Sequence, residues 1–130
     1  KKNFFFYIGS KESLFNLIHI DDVSDALLMC ARDNVQNEIF NLSCNYKLNE
    51  IIKIICSYNK IKEPKIVLNE KVVRFLVKFI EKFVNVSLNQ RIIDILVSQR
   101  NFKMDKIKNS LGFKPKINLY DGLNEVLRKE

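Results

Sequence analysis

Short apolar segments typical of β-strands alternate along this chain with longer segments in which apolar residues recur at helical spacing. The predicted strands are residues 4–8, 14–20, 38–43 and 66–68, and the predicted helices are residues 23–31, 48–58, 70–84, 88–97, 104–111 and 119–127. This alternation predicts a mixed α/β fold in which helices pack on a small sheet. About three strands of any length are visible, fewer than a free-standing doubly wound domain has.

The ends of several helices carry recognisable capping residues. Asp21 or Asp22 stands directly before the first predicted helix, where a carboxylate can accept hydrogen bonds from free backbone amides. Gly112 follows the fifth helix and suits a left-handed C-terminal cap. Asn118 precedes the last helix and suits its N-cap. These residues predict where three of the helices begin or end.

The length and composition fit one compact domain over residues 1–130. Apolar residues make up 47% of the 130 residues, which is ample for a core, and Lys or Glu interrupts every apolar stretch well before a membrane span. The three cysteines occur singly, without a Cys-x-x-Cys pair. Neither a zinc site nor a secreted disulfide framework is indicated, and we expect a cytoplasmic protein.

The net charge of +7 allows an anionic partner. Because the lysines are scattered among Asn and Ile residues, we expect neither nucleic acid nor a membrane as the partner. The predicted helix 70–84 has a wide apolar face and lysines beside it, and we expect that face to pack on the core. A stand-alone basic module that binds a membrane, a partner groove or nucleic acid is the alternative.

His19 is the only histidine and is followed by three nearby aspartates. A metal ligand or a general base would need further converging side chains, which the sequence does not offer. We therefore predict a structural histidine, placed on a strand, and no metal site.

Five blocks, in order, resemble motifs of the extended short-chain dehydrogenase/reductase family, which includes UDP-glucose 4-epimerase-like sugar epimerases and dehydratases. They are residues 17–26 (LIHIDDVSDA, similar to that family's His-x-Asp-Asp motif), 38–43 (EIFNLS), 48–51 (LNEI), 101–115 (NFKMDKIKNSLGFKP) and 118–123 (NLYDGL). The resemblance implies the C-terminal, substrate-binding portion of an NAD-dependent epimerase or dehydratase. Such an enzyme acts on a nucleoside-diphosphate sugar through a transient keto intermediate.

The resemblance also implies an N-terminal Rossmann domain that holds NAD and is absent from this chain. The three glycines, Gly9, Gly112 and Gly122, cannot form the Gly-x-Gly-x-x-Gly turn that binds a dinucleotide. The family's catalytic Tyr-x-x-x-Lys pair lies upstream of the His-x-Asp-Asp motif, so the similarly spaced Tyr58 and Lys62 are not assigned to it. We expect the chain alone to bind no cofactor, to be inactive, and to self-associate through the surface that its own Rossmann domain would cover.

The motif residues depart from the family's pattern at the positions where substrate contacts would lie. Phe15, with Asn16 beside it, occupies the position where many sugar epimerases have a phosphate-binding Arg. Arg91 and Arg100 lie where the family often places a second such Arg. The predicted substrate-binding residues are therefore Arg91, Arg100, Phe15 and Asn16. The departure at Phe15 leaves open a reductase whose substrate is not a nucleotide-sugar.

Overall fold

A computed structural model of the chain describes residues 5–32, 35–80, 82 and 90–128. The fold is mixed α/β, as predicted. The elements in chain order are β1 (Tyr7–Ile8), β2 (Leu14–Leu17), α1 (Ile20–Arg32), β3 (Cys44–Lys47), α2 (Leu48–Tyr58), β4 (Val67–Leu68), α3 (Glu70–Ile80), α4 (Gln90–Leu96), α5 (Asp105–Leu111) and α6 (Leu119–Arg128). They divide between two compact units. The first contains Lys1–Leu14 and Lys47–Gln99, and the second contains Phe15–Tyr46 and Arg100–Glu130.

The first unit is built on a parallel pair of short strands. β1 pairs with β4, Tyr7 opposite Val67 and Ile8 opposite Leu68. The core of this unit lies between that pair and two helices, and its buried residues are Ile8, Val73, Val77 and Ile93. The predicted strand 4–8 is therefore confirmed at Tyr7–Ile8, and its first residue lies outside the described residues.

The second unit has its own core. Ala26, Ile107 and Phe113 are buried together, with Phe40 and Leu42 packed against them. These two side chains come from the predicted strand 38–43, and that prediction is wrong. The strand β3 lies at Cys44–Lys47, where it pairs with β2, whereas residues 38–43 are irregular. Phe40 and Leu42 find their partners in the core, so their apolar character does not require a strand.

Two of the predicted caps are confirmed. Gly112 ends α5 in the left-handed region at φ 66°, and its amide donates to the Lys108 carbonyl. The Asn118 side chain accepts a hydrogen bond from the Asp121 amide at 3.0 Å, in the first turn of α6. Both residues therefore satisfy backbone groups that a helix end leaves free.

Neither Asp21 nor Asp22, however, caps α1 as predicted, because both lie inside the first turn of the helix. The helix begins at Ile20, which places Asp22 inside its first turn with only 2% of its surface exposed. Its carboxylate accepts hydrogen bonds from the backbone amides of Lys116 at 2.8 Å and Ile117 at 3.2 Å. Asp22 thus ties α1 to the segment that leads into α6. The positive end of the helix dipole stabilises its negative charge as well.

The apolar face of α3 was predicted to pack on the core, and this prediction is wrong for most of the face. Only Val73 and Val77 of this helix are buried. The remaining apolar side chains of its described turns are exposed, namely Val72, Phe75, Leu76, Phe79 and Ile80. The apolar arc is wider than the edge along which α3 meets Ile8 and Ile93. Residues 81 and 83–84 of the predicted helix lie outside the described residues.

Cys56 is the buried cysteine of the first unit, with 5% of its surface exposed, whereas Cys30 and Cys44 are partly exposed. Burial raises the pKa of the Cys56 thiol, and the negative charge of Glu63 raises it further. Because the thiolate is the reactive form, we expect alkylation of Cys56 at neutral pH to be slower than that of Cys30 or Cys44 by about tenfold or more. Iodoacetamide labelling followed by peptide mass spectrometry measures the three rates, and equal rates would contradict this account.

The same shift has a consequence for stability. With the pKa of the folded state raised above its ordinary value of 9.0, the thiol keeps its proton when the unfolded chain has lost it. The contribution of Cys56 to the free energy of unfolding is therefore complete below the unfolded-state pKa of 9.0 and falls as the pH rises through the folded-state pKa.

Candidate functional site

The predicted substrate-binding residues fall in both units. Phe15 and Asn16 lie on β2 and Arg100 lies just before α5, all in the second unit. Arg91 lies in the first turn of α4, in the first unit, and is exposed. The structure brings Asn16 and Arg100 together, since the Asn16 amide nitrogen donates to the Arg100 carbonyl at 3.2 Å.

Asn16 uses both ends of its side-chain amide within the protein. Besides the bond to Arg100, its carbonyl oxygen accepts a hydrogen bond from the Ser43 hydroxyl at 3.3 Å. Ser43 is itself buried, with 8% of its surface exposed. An amide held at both ends is an anchor with a fixed orientation. Asn16 therefore positions β2 and the backbone at Arg100.

Asn45 makes a second anchor of the same kind, and no sequence motif pointed to it. Its amide nitrogen donates to the Asn101 side-chain oxygen at 2.8 Å and to the Phe102 carbonyl at 3.0 Å. Its amide oxygen accepts from the Phe102 backbone amide at 3.3 Å. The side chain thus pairs with Phe102 as a neighbouring strand would. Asn16 and Asn45, the asparagine anchors, hold residues 100–102 against β2 and β3.

His19 lies directly before α1 rather than on the predicted strand. Its Nδ1 is 3.2 Å from the Asp21 amide nitrogen, so the ring accepts a hydrogen bond from the first turn of the helix. That assignment places the proton of the neutral ring on Nε2, which lies 3.2 Å from the Glu125 carboxylate on α6. With both nitrogens engaged, His19 joins the start of α1 to α6. The structural role of His19 stays a prediction.

An apolar cleft of about 200 Å³ lies beside His19 in the second unit. Side chains from the end of β2, from β3 and from α6 line it, chiefly Leu17, Tyr46, Ile117, Leu123 and Val126. Gly122 forms part of the wall, and a side-chain carbon at this position would lie 3.4 Å from the His19 ring. The cleft offers an aromatic and aliphatic surface of the kind against which a flat ring can pack.

The guanidinium of Arg74 is hydrogen bonded to three side chains of the protein. It donates to Glu70 at 2.8 Å, to Asp94 at 2.7 Å and to the Gln90 side chain at 3.2 Å. The hydrogen bonds to Glu70 and Asp94 raise the pKa of Arg74. A guanidinium with three partners has little capacity left for a phosphate. Arg91 and Arg100 stay the candidates for phosphate contacts that the resemblance to the epimerase family predicts.

The glycines of the chain do not form a site for a dinucleotide. Gly9 follows β1 at φ 73°, but the next element is the strand β2 rather than the helix whose N-terminus would receive a pyrophosphate. A side-chain carbon at Gly9 would lie 3.2 Å from Val97, so this glycine allows the turn to pack against the end of α4. Gly112 and Gly122 are a helix cap and a position inside α6. None of the three glycines therefore forms the Gly-rich turn that holds a dinucleotide.

Among the residues that the structure describes, no cluster of three His, Cys, Asp or Glu side chains could hold a metal ion. No helix in the same ranges is long and apolar enough to cross a membrane.

Comparison with known proteins shows similarity at the level of structure. No protein-family model and no curated protein matches the chain. A functionally unknown conserved protein from Silicibacter pomeroyi matches 99% of this chain and 42% of its own length, with a TM-score of 0.68 and 15% sequence identity. RMD from Pseudomonas aeruginosa, solved with NADPH, matches 95% of this chain and 34% of its own, with a TM-score of 0.58 and 13% identity.

UDP-glucuronic acid 4-epimerase from Bacillus cereus, solved with NAD, matches 91% of this chain and 31% of its own, with a TM-score of 0.54 and 14% identity. The chain spans less than half of the length of each of these proteins. At these identities the similarity shows the fold alone. The chain has a mixed α/β fold that is similar to part of an NADPH-bound protein and to part of an NAD-bound UDP-glucuronic acid 4-epimerase.

Proposed function

We propose that this chain forms the substrate-side part of an NAD(P)-dependent epimerase or dehydratase that acts on a nucleoside-diphosphate sugar. The observation that carries the proposal is the match of nearly the whole chain to about a third of an NADPH-bound protein and of an NAD-bound UDP-sugar epimerase. The order of the five sequence blocks, from the His-x-Asp-Asp motif at residues 17–26 to residues 118–123, supports the same proposal.

In this proposal NAD(P) binds to a Rossmann domain outside the chain. The glycines here are used for a close turn, a helix cap and a helix interior, which leaves no phosphate cradle among the described residues. The cofactor supplies the redox chemistry, and the protein supplies orientation and exclusion of water.

This chain's own contribution would be a surface with a fixed shape. The asparagine anchors hold the backbone of residues 100–102 on β2 and β3. This restricts the position of the Arg100 Cα atom, from which the side chain extends. Arg91 and Arg100 are the candidates for the diphosphate, because a guanidinium can pair bidentately with phosphate oxygens. Asn16 would act as a positioning residue, since its amide is already hydrogen bonded at both ends.

Calorimetric titration of the full-length protein tests the proposal. We expect UDP-sugars to bind once NAD is present, and we expect UDP alone to bind more weakly because it lacks the sugar contacts. Arg91→Ala and Arg100→Ala should each weaken binding by about tenfold or more if the side chain contacts a phosphate. Arg74→Lys is the matched control, since Arg74 is engaged by Glu70 and Asp94. Failure of every nucleotide-sugar to bind would refute the proposal.

A second candidate is a reductase of the same fold whose substrate is not a nucleotide-sugar. The specific observation is Phe15, which stands on β2 where many sugar epimerases have a phosphate-binding Arg. Oxidation of NAD(P)H with a carbonyl substrate, in a protein that binds no nucleotide-sugar, would favour this candidate over the first.

A further inference from the structure

The α3 apolar face, defined as Val72, Phe75, Leu76, Phe79 and Ile80, is exposed over consecutive turns of one helix. Phe75 is 71% exposed and Phe79 is 57% exposed. Exposing large aromatic side chains to water is unfavourable compared with burying them. A contiguous apolar stripe of this kind therefore marks an interaction surface.

Lysines flank this face on one side. Lys71 and Lys78 are seven residues apart and lie on the same side of the helix as Phe75, and Lys82 lies in a turn just after α3 ends at Ile80. All three are exposed, and none forms an ion pair with another described residue. The remaining cation of α3, Arg74, lies on the same flank, three residues after Lys71 and four before Lys78, but it is held by Glu70 and Asp94. The α3 lysines therefore present unpaired positive charge beside the apolar stripe.

The positive charge beside the α3 apolar face indicates which kind of partner binds there. A second copy of the chain would bring the same lysines to the interface, and the carboxylate of Glu70 is already engaged by Arg74. An anionic lipid surface provides negative charge at the headgroups and an apolar layer directly beneath them. Lysine stems can lie along the apolar layer while their ammonium groups reach the phosphates.

The dimensions of α3 fit the same surface. The helix spans 11 residues, or about 16 Å, which is roughly half of what crossing a bilayer requires. A helix with one apolar face, aromatic side chains and a lysine-rich flank lies in the plane of the membrane interface. Its core-facing residues Val73 and Val77 stay packed in the first unit, so the protein need not unfold to make this contact.

We propose that α3 docks this protein on the surface of an anionic membrane through the α3 apolar face and the α3 lysines. The contact is peripheral: Phe75 and Phe79 enter the headgroup region, and Lys71, Lys78 and Lys82 pair with lipid phosphates and carboxylates. This role is independent of the proposed catalytic function, because it uses neither Arg91, Arg100 nor the asparagine anchors.

Co-sedimentation of the full-length protein with lipid vesicles tests the proposal. We expect binding to phosphatidylcholine vesicles that contain about 30% phosphatidylserine, and much weaker binding to phosphatidylcholine alone. Lys71→Glu and Lys78→Glu should each reduce partitioning by about fivefold or more, because each lysine near an anionic surface is worth roughly a factor of five. Phe75→Gln with Phe79→Gln should reduce it by about tenfold or more through lost apolar contact.

Matched control variants distinguish binding through the α3 apolar face from binding through the net charge or through other exposed apolar side chains. Lys53→Glu removes an exposed lysine of α2, and Ile39→Gln removes a side chain that is 83% exposed in the second unit. Both should leave vesicle binding unchanged. Circular dichroism and the thermal midpoint of each variant should match those of the unaltered protein, since every substituted side chain is exposed.

Three results would overturn the proposal. The first is absence of binding to anionic vesicles by the full-length protein, which is expected if another part of the protein covers α3. The second is binding that Lys53→Glu weakens as much as Lys78→Glu. The third is a stable oligomer that Phe75→Gln with Phe79→Gln dissociates while vesicle binding is unaffected, which would assign the face to a second copy.

Discussion

Replacing Asp22 with alanine is expected to lower the free energy of unfolding by about 3 kcal/mol, because the two backbone amides that it binds lose a charged acceptor in a buried place. The carboxylate is 2% exposed and accepts from Lys116 and Ile117. Urea unfolding followed by circular dichroism measures the loss, provided that the dependence on urea is unchanged.

Asp25→Asn is the matched control for this prediction. Asp25 lies one turn further along α1, and its carboxylate pairs with the exposed Lys116 ammonium. This pair raises the pKa of Lys116, but exposure weakens it as a source of stability. We expect Asp25→Asn to have a far smaller effect than Asp22→Ala. Equal effects would show that the charge of the segment matters and that the two buried hydrogen bonds do not.

Replacing Ile93 with alanine is expected to cost about 3 kcal/mol in the first unit, where it removes a fully buried side chain and leaves a cavity. Ile93 is 0% exposed and packs with Ile8, Val73 and Val77. Ile95→Ala is the control in the same helix, because it makes the same change in helix propensity at a residue that is 59% exposed. The same urea measurement should show a small loss for Ile95→Ala, and a comparable loss for both variants would contradict the assignment of this core.

Features set by neighbouring residues were predictable from the sequence. Gly112 and Asn118 act within one turn of their own helices, so local rules for caps were enough to identify them. The mixed α/β class followed in the same way from the alternation of apolar patterns. These predictions depend on contacts close in sequence, which periodicity and capping chemistry describe directly.

Features that depend on distant contacts were not predictable. A carboxylate before an apolar run suits a helix cap, but Asp22 instead binds backbone amides 94 and 95 positions further along the chain. The apolar residues Phe40 and Leu42 indicated a strand, yet they pack, partly buried, against a core of α1, α5 and Phe113 without one. The width of the apolar arc on α3 did not reveal that only Val73 and Val77 would be covered.

The candidate site shows the same division. The resemblance to epimerases directed attention to Phe15, Asn16, Arg91 and Arg100, and their role in binding a substrate stays a prediction. Asn45 carried no signal, because an asparagine on a strand acquires its meaning only from Phe102, 57 positions away. The apolar cleft beside His19 is likewise assembled from β2, β3 and α6. The self-association expected from the sequence also stays a prediction, and sedimentation measures it.

The most direct test of the proposed function is hydrogen–deuterium exchange on the full-length protein, with and without UDP-glucose in the presence of NAD. We predict that the sugar nucleotide slows exchange in peptides of this chain that contain residues 90–100 or the β2 residues Phe15 and Asn16. Peptides of α2 serve as the internal reference, which the ligand should leave unchanged. Protection confined to parts of the protein outside these 130 residues, or no protection by any nucleotide-sugar, would contradict the assignment of this chain to the substrate side.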